Sequence, residues 1–338
     1  TKSVVGLVIG RLVTLGKLAS IDEPVHAFFP EWRQGRKRAI TVRMLMEHTS
    51  GLQNVPMTTE EIYPSPDFVQ LALCADLDAE PGTAFAYNNK AVNLLAGVVE
   101  RADGRKLDAF AREELLRPLG VPDSPWLRDD AGNPHAMSGL ALHAADLVKL
   151  GELVLQRGER GGKRLIDESW FDAMEATAEH RGENALLWWH LFDTRIQVTE
   201  EHLRALDEGG ATAGVVDLFR ELRGEHRSVN RFFIRIIKAL GDDWRAQLPD
   251  GVTPFRMEAG KPIAYRAEGD LGQFVFVVPA TGLVAARLIS EATIERFVPG
   301  FRSPPESREE HLARIEPFFF PDFEELVLAL SNALMEAS

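Results

Sequence analysis

Apolar residues Val4, Val5, Val8, Leu12 and Leu15 recur at near-helical spacing from residue 1 to about 18, and Leu7, Ile9 and Val13 widen that face. The pattern predicts a mostly buried first helix. Ile21-Asp22-Glu23-Pro24 ends it, and Thr41 then reads as the N-cap of a short helix over 42–47, followed by the turn residues Thr49-Ser50-Gly51. Ser65-Pro66-Asp67 reads as a cap with Pro at the first helical position of another helix. Pro81-Gly82-Thr83 is a turn leading into Tyr87, after which Leu94, Leu95, Val98 and Val99 mark a helix that ends near Asp103-Gly104. Further helices are expected over about 106–117 and 143–156.

After Trp188-Trp189 the pattern changes. Residues 195–258 form a charged, helix-rich block containing Leu218-Phe219, Phe232-Phe233 and Ile236-Ile237, read as an inserted helical subdomain or lid. Residues 273–278 and 283–288 are two apolar, β-rich runs joined by Pro279-Ala280-Thr281-Gly282, the strongest hairpin signal in the chain. Pro304-Pro305 follows, then a final helix over about 323–335. Helices in the middle and strands toward the carboxyl end predict an α+β fold, with one domain built from 1–190 and 262–338 and the 195–258 block inserted into it. No internal repeat is visible.

Composition narrows the class. A chain of 338 residues, 45% apolar and 26% charged, has enough apolar material for a sizeable core. Its net charge of −13 argues against a nucleic-acid partner, which would need a concentrated basic face. No run approaches the roughly 18 consecutive apolar residues of a membrane span. The single cysteine, Cys74, allows no internal disulfide and is expected to be a small buried residue on a helix. Thr1-Lys2-Ser3 opens straight into the helical pattern without an initiator Met, so the true amino terminus is expected to lie upstream, and the cellular compartment stays undecided.

Three short stretches carry candidate chemistry. Lys2 stands at the head of the first helix, where burial and the positive helix end both favour a neutral amine able to act as a base. Taken alone, it reads as a solvated terminal lysine. Tyr87 and Asn89 stand two residues apart at a turn entering a helix, so a phenol that shuttles a proton and an amide that orients a lysine or a carbonyl can share one cleft. Taken alone, Tyr87 reads as a core aromatic. Ala267-Glu268-Gly269-Asp270-Leu271-Gly272-Gln273 runs into the apolar strand, with glycines that allow close approach to the backbone; its plain reading is a strand start or bulge.

Order and spacing together resemble the serine β-lactamases, penicillin-binding DD-peptidases and related esterases, most closely their class C-like branch. These carry Ser-x-x-Lys at the head of a long helix, then Tyr-x-Asn, then a Lys or His with x-Gly on the strand edging the site. Ile40-Thr41-Val42-Arg43, His48-Thr49-Ser50-Gly51-Leu52, Pro81-Gly82-Thr83, Ser138-Gly139-Leu140, Ala145-Asp146-Leu147 and Gly161-Gly162-Lys163-Arg164-Leu165-Ile166 look like connecting text of the same group. The resemblance covers about 1–190 and 262–290. It implies an antiparallel sheet flanked by helices and an acyl-enzyme route on a small amide or ester, without cofactor. Lys2 matches the motif lysine, Tyr87 the tyrosine, Asn89 the asparagine, and the backbone N–H of Asp270 an oxyanion donor, with Gly269, Gly272 and Gln273 lining the cleft.

The motif serine falls two positions before Thr1, so residues 1–338 by themselves are expected to be inactive and to lack the family's first strands. The third-motif Lys or His position falls on Ala267, which counts against a β-lactamase or DD-peptidase proper, and strand alternation aims the adjacent Arg266 at the opposite face. A noncatalytic binding or sensor protein with the same cleft is the alternative from another class. Nine histidines show no paired metal-ligand spacing; His48 reads as satisfying a helix end, and the Trp188-Trp189 pair as core.

Overall fold

The computed structural model describes residues 1–55, 58–181, 183–241, 243–297 and 321–336; Pro304-Pro305 lies outside them. The first helix, Lys2–Thr14, buries Val4, Val5, Leu7, Val8, Ile9 and Leu12 at the centre of the main core. Two glycines let it sit that deep. A Cβ on Gly6 would lie 2.6 Å from the Leu186 carbonyl oxygen, and one on Gly10 would strike the Trp170 ring. Gly6→Ala is therefore expected to lower stability by about 1–2 kcal/mol in urea unfolding, because overpacking against backbone outweighs the ~1 kcal/mol that Ala gains over Gly in a helix.

Helix Asn89–Asp103 packs in the same core and stops at Gly104, whose left-handed φ of 90° suits glycine. The short helix Val42–Met46 is capped by Thr41, whose hydroxyl accepts the Met44 N–H. Helix Phe68–Cys74 is capped by Asp67, not Ser65, so Pro66 stands outside it. Cys74 is exposed, contrary to expectation. It ends a helix whose inner face is already taken by Phe68, Ala72 and Leu73.

A five-stranded antiparallel sheet forms the second layer, in the order Leu283–Arg287, Gln273–Val278, Pro262–Gly269, Trp188–Phe192, Asn184–Ala185. Alternation splits its residues between two faces. Tyr265, Val275 and Val277 join the main core, while Ala264, Phe274, Phe276 and Val278 meet Val327 and Phe323 of the last helix, Pro321–Glu336. The result is the mixed helix and antiparallel-sheet architecture that the apolar pattern predicts.

The 195–258 block is not purely helical. Strands Gly224–His226, Arg195–Val198 and Arg256–Glu258 make a small antiparallel sheet beside helices Glu200–Glu208, Ala213–Glu221 and Val229–Leu240. Strands of three or four residues are too short to show a period of two, so the pattern hid them. Ile196, Leu206, Phe219, Phe232 and Trp244 form a core of their own there.

Candidate active site

Two loops interlock to set Tyr87. The Thr49 carbonyl accepts the Gly82 N–H at 2.7 Å, and the His48 carbonyl accepts the Ala86 N–H at 2.8 Å. Gly51 has φ +71°, and any Cβ there would stand 2.4 Å from the Ala79 carbonyl oxygen. Asn88 then caps the helix that follows: its Oδ1 accepts the Ala91 N–H, while its Nδ2 donates to the Leu52 carbonyl at 2.8 Å.

Lys2 meets Tyr87 from the head of the first helix. Its Nζ lies 5.3 Å from the Tyr87 ring centroid and donates to the Met137 carbonyl at 2.9 Å. The Met137 N–H is in turn held by Asn93 Oδ1, so helix Asn89–Asp103 fixes the carbonyl that anchors the lysine. Burial brings the ammonium down to about 8. Tyr87 keeps 42% of its surface open, and the covered remainder raises its phenol, to about 12, with the charge of Glu268 adding to the shift. Near neutral pH the pair is thus a partly neutral amine beside a protonated phenol.

Asn89 makes no hydrogen bond to Lys2 among the described residues; its buried Oδ1 has no partner. Asp270 and Gly272 form a single 3-10 turn between strands Pro262–Gly269 and Gln273–Val278, and Gly269 pairs with Gln273 across it. Two expected cleft residues have other engagements. Gln273 binds Ile289 through both ends of its amide, at 3.1 and 2.9 Å, and Arg287 donates to the Gly272 carbonyl. These groups hold the hairpin shut.

Arg266 lies on the far face, donating to Glu324 at 2.9 Å, with Glu183 and Glu268 also near its guanidinium. It supplies no cation to the Ala267 side. Burial pushes the Glu268 and Glu324 carboxyls above their ordinary range.

Two aromatic residues emerge that the sequence reading set aside. Trp188 is core, 2% exposed, but Trp189 stacks with Tyr87 at 6.3 Å between ring centroids and with His48 at 6.4 Å. The His48 ring itself lies 4.6 Å from Tyr87. The signal was present in the adjacency of His48 to the Thr49-Ser50-Gly51 turn, but its partners Tyr87 and Trp189 are far along the chain. Among the described residues there is no group of three metal-ligating side chains and no helix long and apolar enough to cross a membrane.

A family model described as Beta-lactamase matches residues 1–299. The chain belongs to the beta-lactamase family. Esterase EstB of Burkholderia gladioli is 32% identical over 142 residues, which is 36% of this chain and 36% of the esterase. Beta-lactamase-like protein 2 of Dictyostelium discoideum is 27% identical over 146 residues, 38% of this chain and 26% of that protein. These alignments span 36% and 26% of the relatives' lengths. Two solved structures share the fold: one from Bacteroides dorei assigned as a beta-lactamase (TM-score 0.54, 18% identity, 85% of this chain and 76% of that one), and one from Bacillus anthracis assigned as a 6-aminohexanoate-dimer hydrolase (TM-score 0.59, 15% identity, 98% and 71%). The family's expected fold and hydrolase kinship therefore stand on sequence and architecture together.

Proposed function

We propose that this chain is a serine hydrolase that cleaves small amides or esters through an acyl-enzyme. The observation that carries the reading is the Lys2–Tyr87 pair, an amine lowered by burial beside a phenol that keeps its proton. In this reading the nucleophile is a serine three residues before Lys2, upstream of Thr1, one helical turn away on the same face. Its oxygen attacks the carbonyl, and its proton passes to neutral Lys2, the member of the pair free to accept one near neutral pH. Tyr87 donates a proton to the departing amine or alcohol and recovers one from the Lys2 ammonium; water then attacks the acyl-enzyme, its proton returns to the serine oxygen through the same pair, and the acid is released. The Asn89 amide orients the substrate carbonyl, and the N–H of Asp270 with that of the serine holds the oxyanion.

The esterase activity in the name of the Burkholderia relative and the amide substrate named for the Bacillus fold neighbour support this substrate class. Ala267 offers no cation for the carboxylate of a β-lactam, and Arg266 is engaged on the other face. The test is fluorophosphonate labelling of the gene-encoded protein, read by peptide mass. Label on the serine three residues before Lys2 is expected, and a chain starting at Thr1 should take none. Failure of that serine to label overturns the mechanism, and rapid nitrocefin hydrolysis overturns the preference against β-lactams.

A further inference from the structure

His48 touches three consecutive residues of the Tyr87 turn. Its carbonyl accepts the Ala86 N–H at 2.8 Å, its ring lies 4.6 Å from the Tyr87 ring at a tilt of 34°, and its Nδ1 accepts the Asn88 N–H at 3.1 Å. Trp189 stacks nearly parallel to it, at 11°, and Phe85 meets it edge-on at 5.8 Å. The residue is 2% exposed, and its backbone is left-handed at φ 56°, a conformation that costs a non-glycine residue free energy. So much engagement of one side chain is a clamp on the turn.

The clamp requires an uncharged ring. Nδ1 can accept the Asn88 N–H only while it carries no proton, so the imidazole proton sits on Nε2. Burial, with the nearby charge of Lys2, holds the group far below its usual value, to about 3. Across the cleft, the strand position that would carry a Lys or His in relatives is Ala267, so that strand gives Tyr87 no cation or imidazole, only the nearby charge of Glu268.

We propose that His48 is a positioning residue for Tyr87, a neutral imidazole that fixes both the phenol ring and the turn bearing it where Ala267 provides nothing. The assignment rests on the hydrolase reading for its catalytic meaning, and on geometry alone for its structural part. It acts through Tyr87 and not on the substrate.

Two variants separate the two contacts. His48→Asn keeps an acceptor and tolerates the left-handed backbone, but loses the ring. His48→Phe keeps the ring and loses the acceptor. In the gene-encoded protein, each is expected to lower kcat roughly 10- to 100-fold with KM nearly unchanged, since a misplaced proton donor slows the chemical step. In His48→Asn the Tyr87 phenol, followed by its 13Cζ resonance and assigned with Tyr87→Phe, should ionise closer to the ordinary value of about 10 as water reaches the ring. In His48→Phe the phenol should stay high while the Asn88 amide exchanges faster. Folded variants with unchanged kcat and an unchanged Tyr87 titration overturn the proposal. If the wild-type protein turns nothing over, the hydrolase reading fails, yet the resonance and the exchange rate still decide the role of His48.

Discussion

Replacing Lys2 with Ala is expected to lower kcat/KM by about 10²- to 10⁴-fold, the range that a positioned general base contributes. The fold should survive, because the ammonium's one hydrogen bond among the described residues is to the Met137 carbonyl. Lys2→Arg should fail almost as badly, since a guanidinium stays protonated and cannot accept the serine proton. The pH profile carries the sign. The active form is the neutral amine, so kcat/KM should rise with pH through an ionisation near 8 and lie flat above it until the phenol of Tyr87, raised to about 12, begins to lose its proton. His48 contributes no acid limb above about 3. A profile that falls through pH 8 would assign the work to the protonated lysine and sink the base role.

The same residues show how far the sequence could be read. Lys2, Tyr87 and Asn89 stand out as candidates because their chemistry lies in residue type and in short spacings, and two of them stand at helix starts, as the helical pattern predicts. The hairpin over 273–287 was legible for the same reason, through two apolar runs around one glycine-bearing turn. His48 was not, because its role arises from a left-handed φ and from partners at 86–88 and 189 that only the fold brings together. Gln273 failed in the opposite way. A polar side chain beside two glycines suggested a cleft, but the Ile289 backbone, sixteen residues on, takes both ends of its amide. Cys74 was misplaced because a seven-residue helix has too few turns for its buried face to be read from spacing.

Lys2 owes its position to a buried joint one residue away, and breaking that joint should cost about 3–5 kcal/mol of stability. Ser3 is held at both ends: its carbonyl accepts Trp188 Nε1–H at 3.0 Å, and its hydroxyl donates to the Leu187 carbonyl at 2.8 Å. Leu186 and Leu187 turn the chain there with φ of 54° and 71°, in a two-residue hairpin loop that glycine and asparagine usually fill. Two leucines persist because both are buried against the first helix, where each side chain contributes about 1.5–3 kcal/mol and offsets the backbone strain. The Trp188 indole closes this contact from the strand side. Trp188→Ala is expected to remove about 3–5 kcal/mol in urea unfolding, by cavity formation and by loss of the indole hydrogen bond to the Ser3 carbonyl. Trp188→Phe keeps most of the apolar volume and loses only the donor, so it should cost about 1–3 kcal/mol. The comparison separates packing from hydrogen bonding, and because Ser3 adjoins Lys2, Trp188→Phe should also lower kcat more than a substitution of equal stability cost in the distant 195–258 core. Equal kcat losses for the two would mean that the joint supports the fold alone and leaves the lysine where it is.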